Sequence, residues 1–133
     1  MAAVCVRRSM DGISERWNLF FDSMSRWHQF ANDLKDWQRD RAANRWTYFL
    51  CEGRRRNFGD DSVAWVAREG FAWGLSTLRE WMGDMRKLQL ELGDPRLAEY
   101  LAFRDAELSE FEDSVLPGLT MLARLLKKLP EGS

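Results

Sequence analysis

Apolar residues spaced alternately three and four apart run through almost the whole chain, and a chain so patterned hides them most readily by packing helices side by side. The first such seam is Ile13, Trp17, Phe20, Met24, Trp27, Ala31 and Leu34. The same face returns at Ala42, Trp46 and Phe49 after a polar interval at Gln38 to Arg41. The spacing therefore predicts one helix over about 11–52, with Asp11 as its N-cap and the interval near residue 40 as the place for a bend. A second line, Leu19, Phe30, Trp37 and Tyr48, lies roughly 100–120° round that helix, which widens its apolar face enough for two neighbours.

Gly53 to Gly59 interrupts the pattern, and Asp60-Asp61-Ser62 supplies N-cap chemistry for a second helix over about 62–92. Its seam is Ala64, Ala67, Phe71, Leu75, Leu78, Met82 and Met85, and Gly93 is its natural stop. Asp94-Pro95 opens a third helix, to about residue 128, with the seam Leu97, Leu101, Leu108, Phe111, Val115, Leu119, Leu122 and Leu126. Pro117 falls inside it and is expected to kink or break it. The expected fold is all-α: one domain over 1–133, an antiparallel up-down-up three-helix bundle with long helices.

With 133 residues, 45% of them apolar, a packed core needs no metal or disulfide. Cys5 and Cys51 make neither a disulfide framework nor a ligand spacing, and free thiols point to an intracellular setting, cytoplasmic or nuclear. The start, Met1 to Arg8, is too short and wrongly ordered for a secretory signal. No stretch approaches the roughly 18 uncharged residues of a membrane span. Lys and Arg number 20 against 21 Asp and Glu, so no net field draws the chain to nucleic acid. The charge is uneven, with a surplus of four positive charges over residues 1–56 and of five negative over 57–133.

Catalytic signatures are sparse. His28, the single histidine, sits at the edge of the first seam and reads as structural. No phosphate-cradling glycine loop, Cys-x-x-Cys pair or Glu-x-x-His motif occurs, so the expectation is a non-enzyme with no cofactor or metal. Asp105, Glu107, Glu110, Glu112 and Asp113 read as a solvated face. Arg104 lies on the third seam between Leu101 and Leu108, where it must pair with an acid across the bundle or reach out at its edge.

Interaction candidates are clearer. Of seven tryptophans, Trp17, Trp27, Trp46 and Trp81 lie on or beside seams and are assigned to the core. Trp73 points about 160° away from the Phe71, Leu78 and Met82 face, close to Val66, and is expected to be exposed. Trp73, Val66, Trp37, Phe30 and Tyr48 are the candidate partner-binding residues, the partner being a protein or a second copy of the chain. Arg54, Arg55 and Arg56, with Arg7, Arg8 and Phe58, are the candidate contact for phosphate or an acidic partner, and a nucleic-acid accessory role is the competing reading. A third reading, a small-molecule pocket among the tryptophans, asks for a cavity of roughly 300 Å³ or more.

Phe71, Leu75, Leu78, Trp81 and Met82 are similar in spacing to the first helix of a spectrin repeat. The seam from Leu97 to Leu126 resembles that family's second helix, and Arg16-Trp17 with Phe20 its third, in permuted order. The resemblance implies a three-helix coiled coil serving as a scaffold or adaptor. Separately, Arg68-Glu-Gly70-Phe-Ala-Trp73-Gly74-Leu75 is similar to a segment of helical apoptosis regulators of the B-cell-lymphoma type, where it borders a groove that receives an amphipathic helix. Glu69, Gly70, Trp73 and Gly74 carry over, while Ala72 and Leu75 replace that family's asparagine and arginine.

Overall fold

A computed structural model describes residues 2–128, with side chains from Gly12 onward; over that span every regular element is helical. Cys5, Arg7, Arg8 and the Asp11 side chain lie outside the described residues.

The first helix, α1, spans Ala2–Lys35, so Asp11 lies inside it rather than capping it. The single helix expected to continue to 52 does not form. The chain bends at Asp36, makes α2 (Trp37–Ala42), turns, and starts α3 (Tyr48–Arg55). Local chemistry explains the interruption. Asn44 adopts a left-handed φ of 56°, which asparagine tolerates better than most residues. The Arg45 N–H reaches back to the Asp40 carbonyl at 2.7 Å. The Thr47 hydroxyl then caps α3 by accepting from the Leu50 N–H at 3.3 Å. The turn brings Tyr48 and Phe49 back against Phe30 of α1, ring to ring at 6.0 and 6.3 Å.

The second long stretch begins at Asp61, whose carboxylate accepts from the Ala64 N–H at 3.0 Å. It runs as α4 (Ser62–Trp65), a π-helical turn (Val66–Gly70) and α5 (Phe71–Leu92), and ends at Gly93 with φ 71°. A π turn spends an extra residue per turn, so the positions before it rotate by about 100° relative to those after it. Trp65 and Val66, off the expected seam, thereby point inward at 1% exposure each, while Ala67 is only half-buried.

Trp65 fits because two glycines face it. A Cβ at Gly53 would stand 2.6 Å from the indole, and one at Gly70 2.7 Å. The indole N–H donates to the Phe49 carbonyl at 3.0 Å, which fastens α3 to the π turn.

Packing on α5 then organises the rest. Trp27 of α1 donates its indole N–H to the Leu78 carbonyl at 2.9 Å, and Leu34 lies against Gly74. The last helix, α6 (Pro95–Lys128), meets the π turn and α5 at Phe71–Phe111, 5.8 Å between rings. It also meets them at the ion pairs Arg79–Glu112 (2.8 Å) and Arg86–Asp105 (3.0 Å), so those carboxylates are not merely solvated. α6 passes Pro117 unbroken. Pro117 deprives the Asp113 carbonyl of its helical donor, but both residues are exposed and water can replace it.

Alanine at Gly53 or Gly70 should lower stability by about 1–3 kcal/mol, because the added methyl must displace a ring packed on all sides. Gly83, inside α5 with open space around its Cα, is the control: Gly83→Ala should raise stability by about 0.5–1 kcal/mol. Urea denaturation followed by tryptophan fluorescence distinguishes these outcomes.

Candidate interaction surface

Of the five residues read as partner anchors, Phe30, Tyr48 and Trp73 come together in one ring cluster packed on the core. Phe30 and Val66 are buried, Trp73 and Trp37 are half-buried, and only Tyr48 is open, at 61% exposure. Trp73 does point away from the Phe71 face. It is covered from that side by α3 and α1, with Phe30 at 5.5 Å, Trp65 at 5.9 Å, Tyr48 at 6.1 Å and Phe49 stacked at 6.3 Å. The expected exposure fails because the chain that should have extended α1 folds back over this flank. Of the tryptophans assigned to the core, Trp27 is buried, and Trp17, Trp46 and Trp81 are half-buried.

The arginine triplet is likewise turned to internal use. Arg54 stacks on Trp46, 3.2 Å from the ring centroid, and pairs with Asp60 at 2.8 Å. Arg55 and Arg56 both bond Glu52, whose side chain is 7% exposed. Arg56 also reaches Glu69 at 3.4 Å and lies 5.3 Å from the rings of Trp65 and Trp73. Those guanidinium bonds, Arg55's foremost, hold the Glu52 carboxyl below the usual carboxylate range. Phe58, proposed as a stacking residue, packs on Trp65 at 5.5 Å. No free row of cations results. The residues shared with the apoptosis regulators are also occupied within the fold: Glu69 by Arg56, Gly70 by Trp65, Trp73 by the aromatic cluster and Gly74 by Leu34.

The open apolar surface lies elsewhere. The α6 seam continues through Phe111, Val115, Leu119, Leu122 and Leu126, yet no residue of α6 after Leu108 is buried. Met121 is 65% exposed and Leu125 53%, with Leu116 also open. At 100° per residue, Gly118 and Leu125 lie within about 20° of Tyr100, and Met121 within about 60°. Tyr100 is where α6 meets α1, its hydroxyl 2.6 Å from His28 Nε2. α1 covers this face as far as Lys35, whose amino group lies 5.7 Å from the Phe111 ring centroid, and there it ends. On the opposite side of α6, Ala67, Phe71, Ala72, Leu119 and Ala123 line an open groove of about 300 Å³ rimmed by Arg68, Glu69, Arg124 and Lys127. A second apolar cleft, about 400 Å³ at the other end, lies among Trp17, Phe21, Met24, Leu97 and Tyr100. Among the described residues no helix is long and apolar enough to cross a membrane.

No family model, curated protein or solved structure matches the chain.

The contact between α1 and the early part of α6 depends on a polar chain. Arg104 donates to the Tyr100 hydroxyl at 3.1 Å and pairs with Glu107 at 2.6 Å, a partner on its own helix rather than across the fold. Burial, and then the Arg104 charge, push the His28 imidazole below its ordinary 6.5. The folded chain thus favours neutral His28, while the unfolded chain protonates it near 6.5. Its stabilising contribution is present above that value and is lost as pH falls below it. The denaturation midpoint should fall between about pH 7 and pH 5, and His28→Gln should flatten that fall. An equal slope in both proteins assigns the dependence to other groups.

Proposed function

We propose that the chain is a non-catalytic protein-interaction module: a three-helix, up-down-up bundle whose last helix presents an apolar face to a helix of its partner. The pairing of contacts supports the bundle. Along α1 and α5, Trp27 meets Leu78 and Leu34 meets Gly74, so one rises as the other falls. Phe71–Phe111 and Arg86–Asp105 give the same sense for the second stretch and α6. One observation carries the function: Met121 and Leu125 stand open, at 65% and 53% exposure, on a face of α6 past the point where α1 ends.

Such a face suits a helical partner because positions at i, i+3 and i+7, here Gly118, Met121 and Leu125, line up along one side. Covering Met121 and Leu125 would contribute about 1 kcal/mol each, so the pair needs charged flanks to reach useful affinity. The arginine triplet is engaged by its own carboxylates and rings, which favours this reading over a nucleic-acid role.

A photo-reactive residue at Leu125, activated in the native cell, should yield a discrete protein adduct that disappears when Met121→Glu is added. The same residue at Leu90, exposed on α5 at the other end, is the control. No adduct at Leu125, or equal adducts at both positions, would overturn the reading.

A further inference from the structure

We infer that the uncovered face of α6 takes a second copy of this chain, the two α6 helices crossing antiparallel near Gly118. This rests on the interaction-module reading and names its partner. The argument is charge complementarity along one helix. Glu110 and Asp113 precede the crossing point, and Arg124 and Lys127 follow it. All four are exposed, and none forms an ion pair among the described residues, although neighbouring Glu107 and Glu112 do.

A two-fold axis between Gly118 and Leu119 sets Asp113 of one copy opposite Arg124 of the other, each about 8 Å along the helix from the axis. It also sets Val115 opposite Leu122, on the side of that face nearer the core. Glu110, Asp113 and Arg124 lie within about 80° of Met121 on one flank of α6, and Lys127 lies farther round. When two helices pair antiparallel through one face, like flanks meet, so the acidic end of one flank falls on the basic end of its copy. A parallel pair would instead set this flank against the other flank of its copy, where the seam residues Val115 and Leu122 lie and no charge answers Asp113 or Arg124. Sequence thus selects one of the two orientations. Gly118 sits at the crossing with nothing within 4 Å of where its Cβ would be, which leaves room for the second backbone to approach.

The test is sedimentation equilibrium of the full chain over a wide concentration range, with circular dichroism confirming that each variant folds. The wild-type chain should dimerise. Arg124→Asp should weaken the dimer about tenfold, and so should Asp113→Arg, because each turns two attractive pairs into repulsive ones. The combined swap, Asp113→Arg with Arg124→Asp, should recover most of the loss. Gly118→Leu should abolish dimerisation while leaving the monomer folded. A wild-type chain monomeric throughout overturns the inference, and so does a dimer indifferent to Gly118→Leu and both charge reversals. If the chain is monomeric and Leu125 still captures a different protein, the module reading stands with a heterologous partner. If it captures nothing, both fall.

Discussion

Trp65 between two glycines is the contact on which the rest of the arrangement turns. A fully buried indole needs its N–H satisfied, and the Phe49 carbonyl does so here, which lays α3 across α4 and the π turn. Its ring needs room on both faces, which Gly53 and Gly70 supply by having no side chain. It must also face inward, and the π turn at Val66–Gly70 provides that rotation. Each condition is local, but together they oblige the chain between Lys35 and Tyr48 to turn back. Losing such a side chain from a core typically costs about 3–5 kcal/mol, a large share of the stability of a small domain.

The end of α3, which carries the three arginines, is held by the same cluster. A guanidinium above an indole gains from the ring's negative face and keeps its edge free for a carboxylate. Arg56 uses both, lying over Trp65 and Trp73 while bonding Glu52. Glu52 can remain ionised though nearly buried because two guanidiniums replace its lost water. In a basic triplet that looks in sequence like a recognition element, Arg54 and Arg56 are thus packed on aromatic rings and Arg55 is paired with Glu52.

The all-α character is legible in the three-and-four spacing, and the punctuation at Asp61, Gly93 and Asp94-Pro95 stands where helices begin and end. The end of α1 is hidden because Ala42, Trp46 and Phe49 continue its apolar face in register. The opposing signals, Asn44 for a left-handed residue and Thr47 three before Leu50 for a cap, are single residues against that pattern. The π turn leaves still less trace. Val66 and Ala67 are both small and apolar, so one extra residue in the turn swaps which of them is inside without breaking the hydrophobic pattern. Gly70 in mid-helix was the available clue, since glycine there is unfavourable unless something approaches closely. Trp73 was misplaced for the same reason as α1: its direction on the helix was right, but the segment that covers it was assigned to a different element. The open face of α6, with Met121 and Leu125, lies off the seam the spacing picks out, and its exposure follows from the early end of α1, which the spacing conceals.

The state of α6 itself links fold and function. Isolated helices gain little stability in water, and most protein helices persist because one face is packed. Up to Leu108 that condition is met on α6 by buried contacts; beyond it, the π turn and the start of α5 offer only partial cover. Pro117 removes one backbone hydrogen bond within this weaker half, and Gly118 next to it adds backbone freedom. The terminal turns therefore sit near the balance between order and fraying, with Lys127 and Lys128 favourably placed at the negative end of the helix dipole. A partner helix on the Met121–Leu125 face would supply the missing packing, so binding and the ordering of these turns are one equilibrium. Part of the interface energy is then spent on ordering. Binding would be weaker than the apolar area suggests, and sensitive to any change in the helical stability of residues 113–128.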